Sequence, residues 1–85
     1  MAKVVMYATG YCPYCVRAEQ LLRSKNVAVE KIMIDSDPAQ KEVMLQRSGG
    51  RRTVPQIFID DYHVGGCDDL YALDRAKKLE PLLAK

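Results

Sequence analysis

Apolar positions follow two distinct rhythms along this chain, one suited to strands and one to helices. Lys3 to Ala8 is a short, near-continuously apolar run, as expected of a strand covered on both faces. Thr9, Gly10 and Tyr11 make a turn, and from Cys12 to about Lys25 apolar residues recur at helical spacing. Val27 to Ile34 mixes apolar residues with Glu30 and Lys31, which suits a more exposed edge strand, parallel to the first through a right-handed crossover. Asp37, then Pro38, then Gln40 three residues after the cap read as a helix start, and Gly49 with Gly50 as its end. Gln56 to Ile59 and Tyr62 to Val64 flank Asp60 and Asp61 and predict a hairpin. Gly65 and Gly66 then break the strand. Asp68 or Asp69 is expected to cap a third helix carrying Leu70, Leu73 and Ala76, and Glu80 with Pro81 restarts a short turn ending at Leu82 and Leu83. The order predicts an α/β fold, a four-stranded mixed sheet covered by helices, with residues 1–85 as a single domain.

Composition narrows the function classes. A chain of 85 residues with 48% hydrophobic content supports one small core. Three cysteines are too few and too unevenly placed for a secreted disulfide scaffold, so a reducing, cytoplasmic setting is expected. The apolar run Val4 to Ala8 is shorter than a signal-peptide core, and nothing approaches a membrane span. A net charge of +2, with Lys and Arg interspersed among Glu and Asp, gives no argument for nucleic acid. No long apolar stripe is left over for a partner copy, so a monomer is expected.

The chemistry is carried by Cys12, Pro13, Tyr14 and Cys15, a CxxC motif where strand turns into helix. Pro13 suits the first helical turn, because its missing N–H would have no partner there and its φ is already helical. Cys12 then stands at the helix N-terminus, where unpaired N–H groups and the positive end of the macrodipole favour its thiolate over its thiol. Thiols so placed in CxxC motifs ionise at about pH 3.5–7.5 rather than ~8.5, which makes a better nucleophile and leaving group. Cys15 precedes Ala18 and Leu22 by three and seven residues, on the apolar stripe, and is expected to be the buried, resolving thiol. The competing reading is structural, or zinc held with His63 and Cys67 as a Cys3His set; the flanking strand and helix favour redox chemistry. His63 otherwise reads as a strand residue with one solvated face, and Cys67 as inert packing.

CPYC at residues 12–15, Thr53-Val54-Pro55, and Gly65-Gly66-Cys67-Asp68-Asp69 together resemble the glutaredoxins, and among them the small bacterial dithiol members, over essentially the whole chain. Thioredoxin carries a Trp before a CGPC motif, and this chain has no Trp. The resemblance implies a thioredoxin-like fold with sheet order 2-1-3-4. It also implies glutathione as a co-substrate with no permanently bound cofactor or metal, and a cis Val54–Pro55 bond that leaves the Val54 backbone free to pair with an extended substrate. Implied partners are glutathionylated proteins, ribonucleotide reductase and similar thiol enzymes, with an NADPH-driven reductase upstream. A single-cysteine iron–sulfur carrier is disfavoured by Pro13 and Cys15, and a redoxin fed by thioredoxin reductase is the nearer rival.

Glutathione has two carboxylates, one ammonium and a thiol, and each charge needs an answer. Gly65 and Gly66 are expected to let another backbone approach closely, the γ-glutamyl carboxylate suits the N–H groups at Cys67 and Asp68, and the ammonium suits the Asp68 carboxylate. Val54, beside Pro55 and Thr53, would hold the central peptide, and Tyr14 would flank the sulfur. The glycine carboxylate needs a cation, for which Arg51 or Arg52 come ahead of Gln40 or Lys41; a solvated loop is the bland alternative for both arginines. Many relatives carry Lys three residues before the first cysteine, where this chain has Thr9, and Arg17 compensates only if it folds back.

Overall fold

The computed structural model describes residues 2–84. Strands β1 (Val4–Ala8), β2 (Val29–Met33), β3 (Gln56–Ile59) and β4 (Tyr62–Gly65) form one sheet in the order β2-β1-β3-β4. Helices α1 (Pro13–Ser24), α2 (Pro38–Arg47), α3 (Cys67–Arg75) and α4 (Leu79–Leu83) complete the chain. β1 pairs parallel with β2 and antiparallel with β3, and β3 pairs antiparallel with β4. This is the expected mixed sheet, with β2 as its more exposed edge.

Period-two alternation explains how β1 is buried throughout. Val4, Met6 and Ala8 join Cys15, Ala18 and Leu22 of α1 and Leu70 of α3 in one cluster, while Val5 and Tyr7 join Met44 of α2 and Phe58 of β3 in the other. The sheet is thus covered on both faces. Burying a core side chain of this size stabilises by about 1.5–3 kcal/mol.

Local signals act as their chemistry dictates, with three corrections. Asp37 caps α2 through Ala39 N–H at 3.2 Å, and Gly49 and Gly50, both at positive φ, end it. The hairpin turn is held back to β1 by Asp60 N–H on the Lys3 carbonyl at 2.8 Å and Lys3 N–H on Asp60 Oδ1 at 2.9 Å. β4 runs through Gly65 instead of breaking before it, because Gly65 still pairs with Ile57 across a register shift. Neither Asp68 nor Asp69 is the cap of α3. Extended Gly66 takes that place, and Asp69, in the first turn, reaches back to accept the Gly66 N–H at 2.9 Å. The second strand is shorter than its apolar run, starting at Val29. Among the described residues, no helix is long and apolar enough to cross a membrane.

Candidate active site

The β1–α1 turn sets the two sulfurs at different depths. Gly10 N–H donates to Asp35 Oδ2 at 3.0 Å, which ties this turn to the loop after β2. Cys12 is the N-cap of α1, with extended backbone, and its Sγ accepts the Cys15 N–H at 3.1 Å. A sulfur here takes the place of the side-chain oxygen that ordinarily satisfies a first-turn amide. Cys12 Sγ also lies 3.7 Å from the Val54 carbonyl, to which its thiol donates. Cys12 is half-buried, whereas Cys15 is only 4% exposed.

Depth separates their ionisation. Burial, then the hydrogen bond and charge of Cys12, push the Cys15 thiol from its ordinary value near 9 up to about 12, against a hydrogen bond from the Thr9 backbone. Burial and the neighbouring Asp68 carboxylate also push the Cys67 thiol up, with Arg17 opposing. Cys67 is accordingly a buried, protonated thiol, and the Arg17 charge reaches it from α1.

Beside Cys12 runs a groove of about 570 Å³. It is lined by the segment Arg51, Arg52, Thr53, Val54 and Pro55, by the start of α3 with Gly66, Cys67, Asp68 and Asp69, and by Tyr14 of α1. The structure therefore brings together all nine residues expected around a tripeptide, and leaves Gln40 and Lys41, on α2, outside the groove lining. The Val54–Pro55 bond is cis.

Asp69 is the groove residue that sequence reasoning placed only as a helix cap. Its carboxylate accepts the Gly66 N–H and pairs with Arg51 Nη1 at 3.6 Å. The spacing Gly66-x-x-Asp69, a first-turn acid three residues past a cap, is the signal that carries this role. The same carboxylate fills the space a side chain at Gly65 would need, so that glycine makes room for Asp69 and Arg51 rather than for an approaching backbone. Arg52 is exposed on the groove and has no ion pair among the described residues.

His63, weighed with Cys67 as a zinc ligand, instead turns its Nε2 to Gln56 Oε1 at 2.7 Å and stacks on Phe58. Among the described residues, no group of three or more His, Cys, Asp or Glu is placed to hold a metal ion.

A paired CxxC at a helix start, with one thiol accessible and one buried, is built for thiol–disulfide exchange. A glutaredoxin family model matches residues 4–64. Glutaredoxin 3 of Escherichia coli K12 is 57% identical over 83 residues, covering 98% of this chain and 99% of its own. The glutaredoxin of Pseudomonas aeruginosa is 52% identical over 84 residues, 99% of each chain. Among solved structures, the buckwheat glutaredoxin–glutathione complex aligns at a TM-score of 0.88 and 34% identity, over 98% of this chain and 77% of that one. Glutaredoxin from Brucella melitensis aligns at 0.84 and 48% identity, over 98% and 89%. The thioredoxin-like fold, the CPYC motif and this sustained identity together make the chain a member of the glutaredoxin family of thiol–disulfide oxidoreductases.

Proposed function

We propose that this protein is a glutathione-disulfide oxidoreductase, reducing glutathione mixed disulfides and protein disulfides through Cys12 and Cys15. The observation that carries the reading is a half-buried sulfur at the N-cap of α1, adjoining a groove whose charges complement a tripeptide with two carboxylates and one ammonium. The free N–H groups at the start of α3 answer the γ-glutamyl carboxylate, and Asp68 answers the ammonium. Thr53, Val54 and Pro55 form the wall along the central peptide. Arg52, ahead of Arg51, whose charge is shared with Asp69, answers the glycine carboxylate.

In the first step the Cys12 thiolate attacks the glutathione sulfur of a protein–glutathione disulfide. The S–S bond breaks, the protein sulfur leaves with the electron pair and takes a proton, and Cys12 carries glutathione. The groove aligns the three sulfurs, which is where its binding energy acts on the rate. In the second step a glutathione thiolate attacks the glutathione sulfur on Cys12, giving oxidised glutathione and returning the Cys12 thiolate. Alternatively Cys15, on losing its proton, attacks Cys12 Sγ, forms the intramolecular disulfide and releases glutathione; two further glutathione molecules reduce that disulfide. Cys12 alone serves glutathione mixed disulfides, and Cys15 is needed for protein disulfides. Glutathionylated proteins and thiol enzymes such as ribonucleotide reductase are the partners this reading implies.

The test compares wild type, Cys12→Ser and Cys15→Ser on a small glutathione mixed disulfide. Activity is expected to vanish in the first and persist in the second. Equal activity in all three overturns the nucleophile assignment, and turnover by a thioredoxin-reductase couple but not by glutathione overturns the co-substrate.

A further inference from the structure

Gln56 is a wholly buried amide in a strand otherwise apolar. Such a group is tolerated only when both its ends find partners. Its Nε2 lies 2.9 Å from the Thr53 carbonyl and 3.1 Å from Thr53 Oγ1, and its Oε1 lies 2.7 Å from His63 Nε2. A backbone carbonyl only accepts, so the nitrogen end of the amide belongs at Thr53 and the oxygen end at His63. An amide oxygen also only accepts, so His63 Nε2 carries the proton. The chain of donation has one direction, from His63 to Gln56 to Thr53. Stacking on Phe58, centroids 4.8 Å apart, fixes the plane of the His63 ring, and the Arg47 guanidinium lies over the same Phe58 ring at 4.1 Å.

The Thr53 carbonyl shares its peptide plane with the Val54 N–H. In a trans peptide the two point in opposite directions. Drawing the carbonyl toward buried Gln56 therefore turns the Val54 N–H the other way, on the wall that Thr53 and Val54 give to the groove. That N–H has no partner among the described residues. We propose that Gln56 and His63 are positioning residues, which lock the Thr53–Val54 peptide so that the Val54 N–H is a pre-oriented donor for the backbone of the bound tripeptide; this rests on the glutathione reading of the groove. Neither residue touches substrate. Their effect is on grip, through a donor that need not be reoriented when the ligand arrives.

Steady-state kinetics on a small glutathione mixed disulfide, with an NMR readout that needs no ligand, tests the relay. His63→Phe keeps the ring stacked on Phe58 but removes the donor, Gln56→Met removes both hydrogen bonds, and His63→Gln restores a donor near the Nε2 position. His63→Phe and Gln56→Met are expected to raise KM about tenfold with kcat within about twofold, and His63→Gln to stay within about threefold of the parent. Long-range proton–nitrogen spectra are expected to show the Nε2–H tautomer, and the Thr53 and Val54 amide shifts to move in His63→Phe but not in His63→Gln. Should Gln56→Met fail to fold, His63→Phe decides. An Nδ1–H tautomer, or unchanged amide shifts and KM in His63→Phe, overturns the relay. Asp68→Ala separates the two ideas: if it raises KM while His63→Phe does not, the relay alone fails, and if it leaves KM unchanged the glutathione groove itself is refuted.

Discussion

Replacing Gly65 by alanine should unsettle the fold and the groove together, by an amount that can be apportioned. Gly65 has φ +110°, where an L side chain is strained by about 1–3 kcal/mol. A Cβ there would also press on Asp69 Oδ2 and come within 2.9 Å of Arg51 Nη1. Asp69 must then move, and its bond to the Gly66 N–H, which holds the first turn of α3, is lost for a further ~0.5–2 kcal/mol. The Arg51–Asp69 pair is half-exposed on both sides and adds little. The expected loss is about 2–4 kcal/mol, or ~10–30 °C in melting temperature for a domain of this size. Urea unfolding at neutral pH measures it, in a cycle of Gly65→Ala, Asp69→Ala and the double variant. If the new methyl acts by evicting Asp69, the eviction is already made in the Asp69→Ala background, and the two changes couple by about 1 kcal/mol. Additivity within ~0.3 kcal/mol, or a loss below ~1 kcal/mol for Gly65→Ala alone, refutes the claim that Asp69 occupies the glycine's space.

Other expectations can be checked with simple assays. Brief alkylation of the reduced protein near pH 7 should modify Cys12 first, because Cys15 and Cys67 are buried with thiols pushed above their ordinary range; mass spectrometry of peptides showing equal labelling of Cys15 would contradict this. Arg52→Ala should raise KM for a glutathione disulfide by about three- to fivefold, more than Arg51→Ala, whose charge is shared with Asp69; the reverse order in steady-state kinetics would exchange their roles. Burial and the charges of Arg51 and Arg47, only partly offset by Asp69, hold His63 below its ordinary range, so the folded state binds fewer protons there than the unfolded one. Stability is then full above the unfolded value near 6.5 and falls as pH drops below it; melting temperatures at pH 7.5 and 5.5 should differ less in His63→Gln than in the parent.

How much of this was legible in the chain depended on whether the signal was local. The apolar run of β1, the Asp37-Pro38 start of α2 and the CPYC helix start are each decided by neighbours within a few residues, and each stands where its chemistry requires. The cap of α3 was not legible, because Asp68 and Asp69 both suit an N-cap on propensity. The choice fell to the extended backbone of Gly66, which belongs to the way β4 ends. Gln56 was harder still. A polar residue beside Pro55 reads as a surface position, and its burial makes sense only once β4 carries His63 across to it. The nine groove residues came from motif resemblance, whereas Asp69's hold on Arg51 came from the meeting of two segments distant in sequence.

One turn of α1 gives the two sulfurs a relation that bears on the order of steps in the proposed cycle. Burial is the largest cause of the high Cys15 value, and the hydrogen bond and charge of Cys12 come on top of it. While Cys12 is a free thiolate, it suppresses a second anion beside it, so the pair presents one nucleophile and not two. Once Cys12 carries glutathione its negative charge is gone, and that part of the suppression goes with it, whereas the burial of Cys15 remains. The resolving thiol thus becomes easier to ionise at the stage when its attack is useful, yet stays protonated enough at neutral pH for an incoming glutathione thiolate to compete. A buried second cysteine is therefore compatible with both exits from the mixed disulfide in the proposed cycle.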